Sequence, residues 1–365
     1  MSLRRTTGMP NHLPAITLSL LVCAALTSCE IVREVTRSPA QSSRAASRMS
    51  ADCTVSDLLV PSCGAWWGVT PGAFTSTPKP KALAEFERKI GRPVDIYHAY
   101  HRSPDLFPTK QEIAIATEPG EERLLFLNWK PEMGHSWAEV AAGVPEVNKH
   151  IDRLSAYINK NYTKPFFLTI HHEPEEEVRP KPGSGYTAQD YADMFRYVVE
   201  RLRSNGVHNA VTVMNFMGGP KYCVKPWFDE LYPGDDVVDW IGYDPYAEEG
   251  TDTFDELVNL AYPWVKGWDG FYQWAKRNHP NKPLMLAEWG VTALPDDPRH
   301  KVEVFRSMAK HVQDYPKLKA FVYFSAPVSP KGDTTIDSTK AALKAYRKLS
   351  NVPYLNPPGP VYGKS

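Results

Sequence analysis

Two apolar segments of the sequence end abruptly in a carboxylate. Residues 166–172 lead to Glu173, and residues 284–287 lead to Glu288. An acid at the end of a buried strand has no packing role, so two of them in this position indicate chemistry. Two neighbouring carboxyl groups can divide acid and base work, because burial and mutual repulsion separate their pKa values. One protonated and one ionised carboxyl group is what cleavage of a glycosidic bond requires.

Strand geometry sets the expected direction of these side chains. Alternation along a strand would put Glu288 on the same face as Leu286. It would likewise put Glu173 on the face of His171 and turn His172 to the opposite face. A role for His172 beside Glu173 therefore requires a bulge or a twist at the end of the strand.

The elements that must position the two acids form a repeating pattern. Eight short apolar runs bounded by Gly, Pro or charged residues occur at Ala65–Val69, Val94–Ala99, Leu124–Trp129, Phe166–His171, Ala210–Phe216, Val238–Tyr243, Leu284–Glu288 and Ala320–Ser325. Helical spacing lies between them at Pro145–Asn159, Ala188–Ser204, Phe254–Lys276 and Lys301–Asp314, the third interrupted by Pro263. The pattern predicts an α/β fold, a (β/α)8 TIM barrel over residues 64–350. An open doubly wound sheet is the alternative, but no glycine-rich phosphate loop follows the first run.

The composition argues against nucleic acid as the main partner and against a long-helix fold. The chain has 365 residues, and its 42 Lys and Arg balance its 42 Asp and Glu, so it lacks the basic surplus that nucleic acid binding needs. Aromatic residues reach 12%, which suffices for a sizeable core. The 33 prolines exclude a long-helix bundle and favour a fold with many loops. We expect a monomer that needs no metal and no organic cofactor.

The N-terminus has the features of an export signal over residues 1–28. Arg4 and Arg5 precede an apolar stretch at residues 13–26, which is too short to span a bilayer. The stretch ends in Leu26-Thr27-Ser28-Cys29, which resembles the lipobox of bacterial lipoproteins. That resemblance implies a lipid on Cys29 and a protein anchored at the extracellular face of the cell membrane. An ordinary secreted protein is the alternative.

Two further segments flank the expected barrel. Residues 29–63 are interpreted as a tether and an entrance loop, and residues 351–365 as a proline-rich tail that covers the barrel as an extended strap. In an exported protein Cys53 and Cys63 could close a short loop at the entrance of the domain. Cys223 is then left over, and we expect a buried free thiol.

Three segments together resemble glycoside hydrolase family 26, a family of retaining barrel glycosidases that includes β-mannanases and some β-glucanases and xylanases. They are His172-Glu173 after the fourth run, Tyr232–Tyr246 around the sixth, and Lys282–Gly290 around the seventh. The likeness extends over residues 65–330, and the segment around the sixth run is its most specific part.

The resemblance implies roles for particular residues. Glu173 is the acid/base and Glu288 the nucleophile, while His172 and Tyr246 orient them and Asp244 lines the cleft with Tyr246. The implied activity is that of a retaining endo-β-glycanase, with a polysaccharide of the β-mannan, β-glucan or xylan type as substrate. Two positions depart from the mannanase pattern, because Thr169 replaces an arginine and Pro174–Glu177 replaces Met-Asn-Gly. The resemblance therefore does not extend to mannan specificity.

Aromatic and histidine side chains near the strand ends could bind a sugar. Trp289, beside Glu288, is the candidate for the subsite at the cleaved bond, with Trp67 and Trp129 as further stacking surfaces. His98 could hydrogen-bond sugar hydroxyl groups. Packing in the core is the alternative for each tryptophan.

Other functions remain to be distinguished from hydrolysis. A catalytically inactive carbohydrate-binding protein at the cell surface could use the same barrel. A zinc protease is excluded, because His172-Glu173 is not followed by the second histidine of that motif.

Overall fold

The computed structural model describes residues 53–357. The expected signal at residues 1–28, the lipid site at Cys29, the tether up to residue 52 and residues 358–365 of the tail lie outside the described residues. The described strands are β1 (Trp66–Thr70), β2 (Ile96–Arg102), β3 (Leu124–Lys130), β4 (Phe166–Ile170), β5 (Ala210–Phe216), β6 (Trp240–Tyr243), β7 (Tyr246–Ala247), β8 (Leu284–Val291) and β9 (Leu318–Phe324).

The strands form a closed parallel barrel. Strands β1 to β6 pair in chain order, β6 pairs with β8, β8 with β9, and β9 closes the circle on β1. The two-residue strand β7 extends β6 and pairs with the far end of β8. This is the (β/α)8 TIM barrel that the sequence predicts.

Helices connect and surround the strands. They are α1 (Lys79–Ile90), α2 (Lys110–Ala116), α3 (Trp137–Ala141), α4 (Pro145–Asn161), α5 (Ala188–Ser204), α6 (Pro220–Cys223), α7 (Phe254–Val258), α8 (Phe271–Asn278), α9 (His300–His311) and α10 (Lys340–Ser350). The helical segment expected over Phe254–Lys276 is interrupted, as the position of Pro263 predicts, by a loop that separates α7 from α8. That loop contains Pro263, and Gly270 at its end has a φ of 106°, which a helix does not allow.

The barrel interior is filled by apolar side chains of different sizes that point inward from alternate strand positions. They are Trp66, Ile96, Leu124, Phe126, Phe167, Val211, Val213, Trp240, Met285, Ala287, Ala320 and Val322. The loop closed by the Cys53–Cys63 disulfide packs under this layer, with Leu59 only 3% exposed. The indole nitrogen of Trp66 donates to the Leu59 carbonyl at 2.7 Å. The segment before β1 therefore closes the bottom of the barrel.

A second core lies between the strands and the helices, and it holds three tryptophans that the sequence suggested for sugar binding. Trp67, Trp129 and Trp289 are fully buried in this layer. The Trp289 ring packs against the rings of Trp67 and Tyr323, with centroid distances of 5.8 Å and 4.8 Å. Their assignment as substrate-stacking surfaces is wrong, because alternation turns each of them away from the barrel axis toward the helices.

Cys223 is a buried free thiol in α6. The described part of the tail is not extended, because Pro353–Leu355 forms a 3-10 turn whose Leu355 is buried. Within residues 53–357, no helix is long and apolar enough to cross a membrane.

Candidate active site

A cleft of about 1190 Å³ opens at the carboxyl ends of the barrel strands. Six residues singled out from the sequence line it together: His98, His172, Glu173, Asp244, Tyr246 and Glu288. Parallel strands bring their carboxyl ends to the same face of a barrel, so residues far apart in sequence meet there. Within residues 53–357, no group of three or more His, Cys, Asp or Glu side chains is placed to hold a metal ion.

Glu173 enters the cleft through an irregular turn after β4. The strand ends at Ile170, and both His171 (φ 48°) and Glu173 (φ 53°) have left-handed backbone conformations. Such conformations are unfavourable for residues with a side chain and are enriched at functional sites. They break the alternation, so His172 and Glu173 both line the cleft, whereas His171 packs beside Trp137 at 5.2 Å. The expected shared face of Glu173 and His171 is therefore wrong.

Glu288 enters the cleft through an irregularity of β8. Leu284 and Leu286 face the helices, while Met285 and Ala287 face the barrel interior. The pairing of β8 with β9 shifts register between Leu286 and Trp289, which is the signature of a β-bulge. Ala287 and Glu288 consequently both point inward. The expected shared face of Glu288 and Leu286 is wrong, although the cleft position of Glu288 is as expected.

Two tyrosine hydroxyl groups hold the Glu288 carboxylate. The Tyr100 hydroxyl donates to Oε1, and the Tyr246 hydroxyl donates to Oε2 at 2.9 Å. Glu288 is only 8% exposed, so these donors replace the water that would otherwise solvate its charge. Both carboxylate oxygens are therefore fixed in orientation.

Asp244 fixes the backbone of the same segment. Its Oδ1 accepts a hydrogen bond from the Glu288 backbone N–H at 2.8 Å, and its Oδ2 accepts one from Asn215 Nδ2 at 2.9 Å. Burial raises its pKa well above the ordinary value, and the charges of Glu288 and Glu173 add to the rise. Asp244 thus links the ends of β5, β6 and β8.

The two glutamates have raised pKa values. Burial raises the pKa of Glu288 to about 8, and the charge of Glu173 contributes to that rise. The hydrogen bonds from Tyr100 and Tyr246 act in the opposite direction, because they stabilise the ionised form. Burial and the charge of Glu176 raise the pKa of Glu173 as well. Burial and mutual repulsion therefore favour the protonated form of each carboxyl group.

Two neutral histidines form part of the wall. Burial lowers the pKa of His172 to about 3, helped by the nearby charge of Lys130. Burial also lowers the pKa of His98 to about 3, and its Nδ1 lies 2.7 Å from the Thr70 hydroxyl. The His172 ring contacts the ring of Tyr100 at a centroid distance of 5.4 Å. Neutral imidazoles can both donate to and accept from hydroxyl groups of a ligand.

His171 anchors the irregular turn from the outer side. Its Nδ1 contacts Glu132, and its Nε2 lies 3.2 Å from Glu177 Oε1, which also pairs with Lys130 at 2.7 Å. Burial opposes the charged imidazolium, but the hydrogen bonds to Glu132 and Glu177 outweigh it and raise the pKa of His171. This network stabilises the strained backbone before Glu173.

Some residues of the site were not identified from the sequence. Tyr100 was missed, although alternation in β2 places it on the face of His98. Asn128 and Lys130 at the end of β3 also line the cleft. Glu175 lies just behind the wall, where its carboxylate accepts from the Met217 backbone N–H at 3.0 Å. No local motif signals that contact, because it joins two loops that are distant in sequence.

The fold and the site together define a parallel α/β barrel with paired carboxyl groups in a deep cleft. Residues 143–266, which include Glu173, Asp244 and Tyr246 but not Glu288, match the family model of glycosyl hydrolase family 26.

Two curated sequences and a solved structure are similar to this chain. Over 145 residues, 39% of this chain, the sequence is 28% identical to the β-1,3-xylanase TXYA of Vibrio sp and to a β-1,3-xylanase of Alcaligenes sp. The match covers 27% and 26% of these proteins, so the chain spans about a quarter of the length of the curated relatives it matches. A family 26 β-mannanase from Bacteroides ovatus superposes with a TM-score of 0.56 and 17% identity, covering 80% of this chain and 90% of that structure. The structural likeness shows the same barrel fold.

Proposed function

We propose that the protein is a retaining endo-β-glycanase that hydrolyses a β-linked polysaccharide. The observation that carries the proposal is that Glu173 and Glu288 line one cleft while two tyrosines hold both oxygens of Glu288. A carboxylate with fixed orientation suits attack on a sugar carbon, and a second carboxyl group with a raised pKa suits proton donation.

The two glutamates divide the steps of a double displacement. Glu288 attacks the anomeric carbon as the glycosidic C–O bond breaks, and Glu173 gives its proton to the departing oxygen. Glu173 then takes a proton from water, which displaces Glu288 and returns it as a carboxylate. Protonation of Glu173 removes the second cause of the raised pKa of Glu288, while burial, the largest cause, remains. The tyrosine hydrogen bonds then favour ionised Glu288.

The substrate class follows from the relatives and from the charge of the chain. The sequence matches are named as β-1,3-xylanases and the structural match as a β-mannanase, so we infer a substrate of the xylan, mannan or glucan type. The balanced charge of the chain is suited to an uncharged polymer. Thr169 replaces the arginine of the mannanase pattern, so the resemblance does not select mannan within this class.

Hydrolysis of a panel of polysaccharides by the wild type and two variants tests the proposal. Glu288→Ala should lose turnover, and added azide should restore part of it with an α-configured glycosyl azide as product. Glu173→Ala should lose activity on polysaccharide but keep more of it on an aryl glycoside, whose leaving group needs no proton. Glu122→Ala, which removes an exposed carboxylate outside the cleft, is the control. A β-configured azide product would overturn the nucleophile assignment, and binding without hydrolysis by wild type would favour the inactive carbohydrate-binding protein.

We also propose that the protein is exported and anchored through a lipid on Cys29, because the sequence before that residue resembles a lipobox. Metabolic labelling with a radioactive fatty acid in a bacterial host should label wild type and leave Cys29→Ser unlabelled. Equal labelling of the variant would overturn the anchor.

A further inference from the structure

An aromatic pair lies in a loop beside the cleft. Tyr262 and Trp264 lie in the loop between α7 and α8, and their rings stack with centroids 4.8 Å apart and planes 4° from parallel. Trp264 is 76% exposed, which is an unusual position for the largest apolar side chain. We call this pair the Tyr262–Trp264 platform.

The loop that carries the platform is held in place. The Val265 backbone N–H donates to the Tyr262 carbonyl at 2.8 Å, which closes a turn with Pro263 at its second position. Farther along, the Trp268 indole nitrogen donates to the Leu260 carbonyl at 3.1 Å. A proline turn and an anchored loop fix the ring positions before any ligand arrives, so binding costs little ordering of the loop.

The platform continues the wall of the cleft. Leu260 and Tyr262 line the cleft itself. Trp264 follows on the same loop, and its ring stacks on that of Tyr262. Two other strongly exposed apolar side chains, Phe74 at 71% and Val328 at 73%, also belong to loops at the mouth. Phe74 lines the cleft, and Val328 is followed by the lining residues Ser329–Lys331. Exposed apolar surface is thus concentrated where a chain leaving the cleft would pass.

We propose that the Tyr262–Trp264 platform is a sugar-binding subsite for a ring distant from the cleaved bond. A flat exposed indole presents a surface against which the C–H face of a pyranose packs, and stacking on Tyr262 fixes the orientation of that ring. The inference rests on the proposed function, since it assigns the site to the same polysaccharide. The subsite gives the protein a preference for chains long enough to contact both the glutamates and Trp264.

Kinetics on oligosaccharides of increasing length, taken from the polysaccharide that wild type cleaves best, test the subsite. Trp264→Ala should raise KM for the longest oligosaccharides by about 2- to 12-fold, leave kcat unchanged, and leave an aryl glycoside unaffected. Trp264→Phe should recover most of the loss, because it retains a flat ring. Leu58→Ala, which removes an exposed apolar side chain at the bottom of the barrel, is the matched control.

A binding measurement tests the Tyr262–Trp264 subsite separately from the proposed hydrolysis. Affinity electrophoresis in polysaccharide gels with Glu288→Ala as background measures retention without turnover, and Trp264→Ala added to it should weaken retention by a similar factor. Equal KM values and equal retention with and without Trp264 would overturn the subsite while leaving hydrolysis intact. Absence of hydrolysis by wild type, with retention that still depends on Trp264, would overturn the glycanase and support the subsite.

Discussion

The Tyr246 hydroxyl lies 2.9 Å from Oε2 of Glu288 and donates a hydrogen bond to it. Tyr246 belongs to the short strand β7, which pairs with β8 through the register Tyr246 to Gly290. The tyrosine ring is packed so closely that a Cβ on Gly290 would lie 2.8 Å from it. The pairing of two strands therefore sets the direction of the carboxylate proposed to attack the sugar.

Tyr246→Phe should lower kcat by about 10- to 100-fold, because it removes a hydrogen bond to a charged group. The hydrogen bond also lowers the pKa of Glu288, so its loss should raise that pKa and shift the acidic limb of kcat/KM to higher pH. Tyr222→Phe, at the cleft rim with its hydroxyl 3.5 Å from Glu176, is the control. A lower kcat with an unmoved acidic limb would contradict this electrostatic role.

The barrel could be predicted because its signals are local. Each apolar run is short and bounded by Gly, Pro or charged residues. The helix Ala188–Ser204 follows Thr187, whose side chain forms a capping box with Asp190 three residues on, a local signal of a helix start. The grouping of Glu173, Asp244 and Glu288 follows from the barrel itself, since strand ends of parallel strands meet.

The directions of side chains at the strand ends could not be predicted by alternation. Glu288 and Glu173 reach the cleft through a bulge and through left-handed residues, and both depend on contacts with other parts of the chain. Trp289 illustrates the consequence, because its position beside Glu288 suggested the cleft while its ring packs in the outer core. Sequence proximity to a catalytic candidate is a poor guide to direction where a strand is irregular.

Glu173→Gln should stabilise the folded protein at neutral pH while it removes hydrolysis of polysaccharide. Burial and the charge of Glu176 raise the pKa of Glu173 in the folded state above its ordinary value of 4.5. The folded chain therefore binds more protons than the unfolded chain above that pH, and its stability falls as pH rises. The gain in Tm of the variant should accordingly grow as the pH rises above 4.5. Glu122→Gln is the control in thermal unfolding, and a gain that shrinks with rising pH would refute this account.

Replacing both Cys53 and Cys63 by serine should lower the free energy of unfolding by about 2–3 kcal/mol, the loop entropy expected for the sequence separation of 10 residues. The lost free energy should come from the bottom of the barrel, because the closed loop holds Leu59 against the barrel interior there. Urea unfolding of wild type with and without reductant measures the effect, and the double variant should not respond to reductant. Equal stability of wild type and the double variant would show that packing alone holds the loop.

Glu175 joins the turn after β4 to the loop after β5, because its carboxylate accepts from the backbone N–H groups of Met217 at 3.0 Å and Gly218 at 3.1 Å. Glu175→Ala should cost about 2–4 kcal/mol, since two amide groups lose their partner. The loop continues into α6, so the buried Cys223 thiol should become reactive toward a thiol reagent. Glu176→Ala, at the neighbouring exposed position, should leave Cys223 protected.

The same residue should make stability depend on pH. Burial raises the pKa of Glu175 from 4.5 to about 7, so the folded chain holds this proton over a range in which the unfolded chain has lost it. The protonated Glu175 carboxyl group therefore contributes to the free energy of unfolding at low pH, and this contribution is lost as the pH rises through that range. In Glu175→Gln this part of the pH dependence should disappear, because the amide does not titrate. The difference between the unfolding free energies of wild type and Glu175→Gln, measured in urea at several pH values, isolates this contribution. A difference that stays constant between about pH 4.5 and pH 7 would show that Glu175 does not titrate as its burial requires.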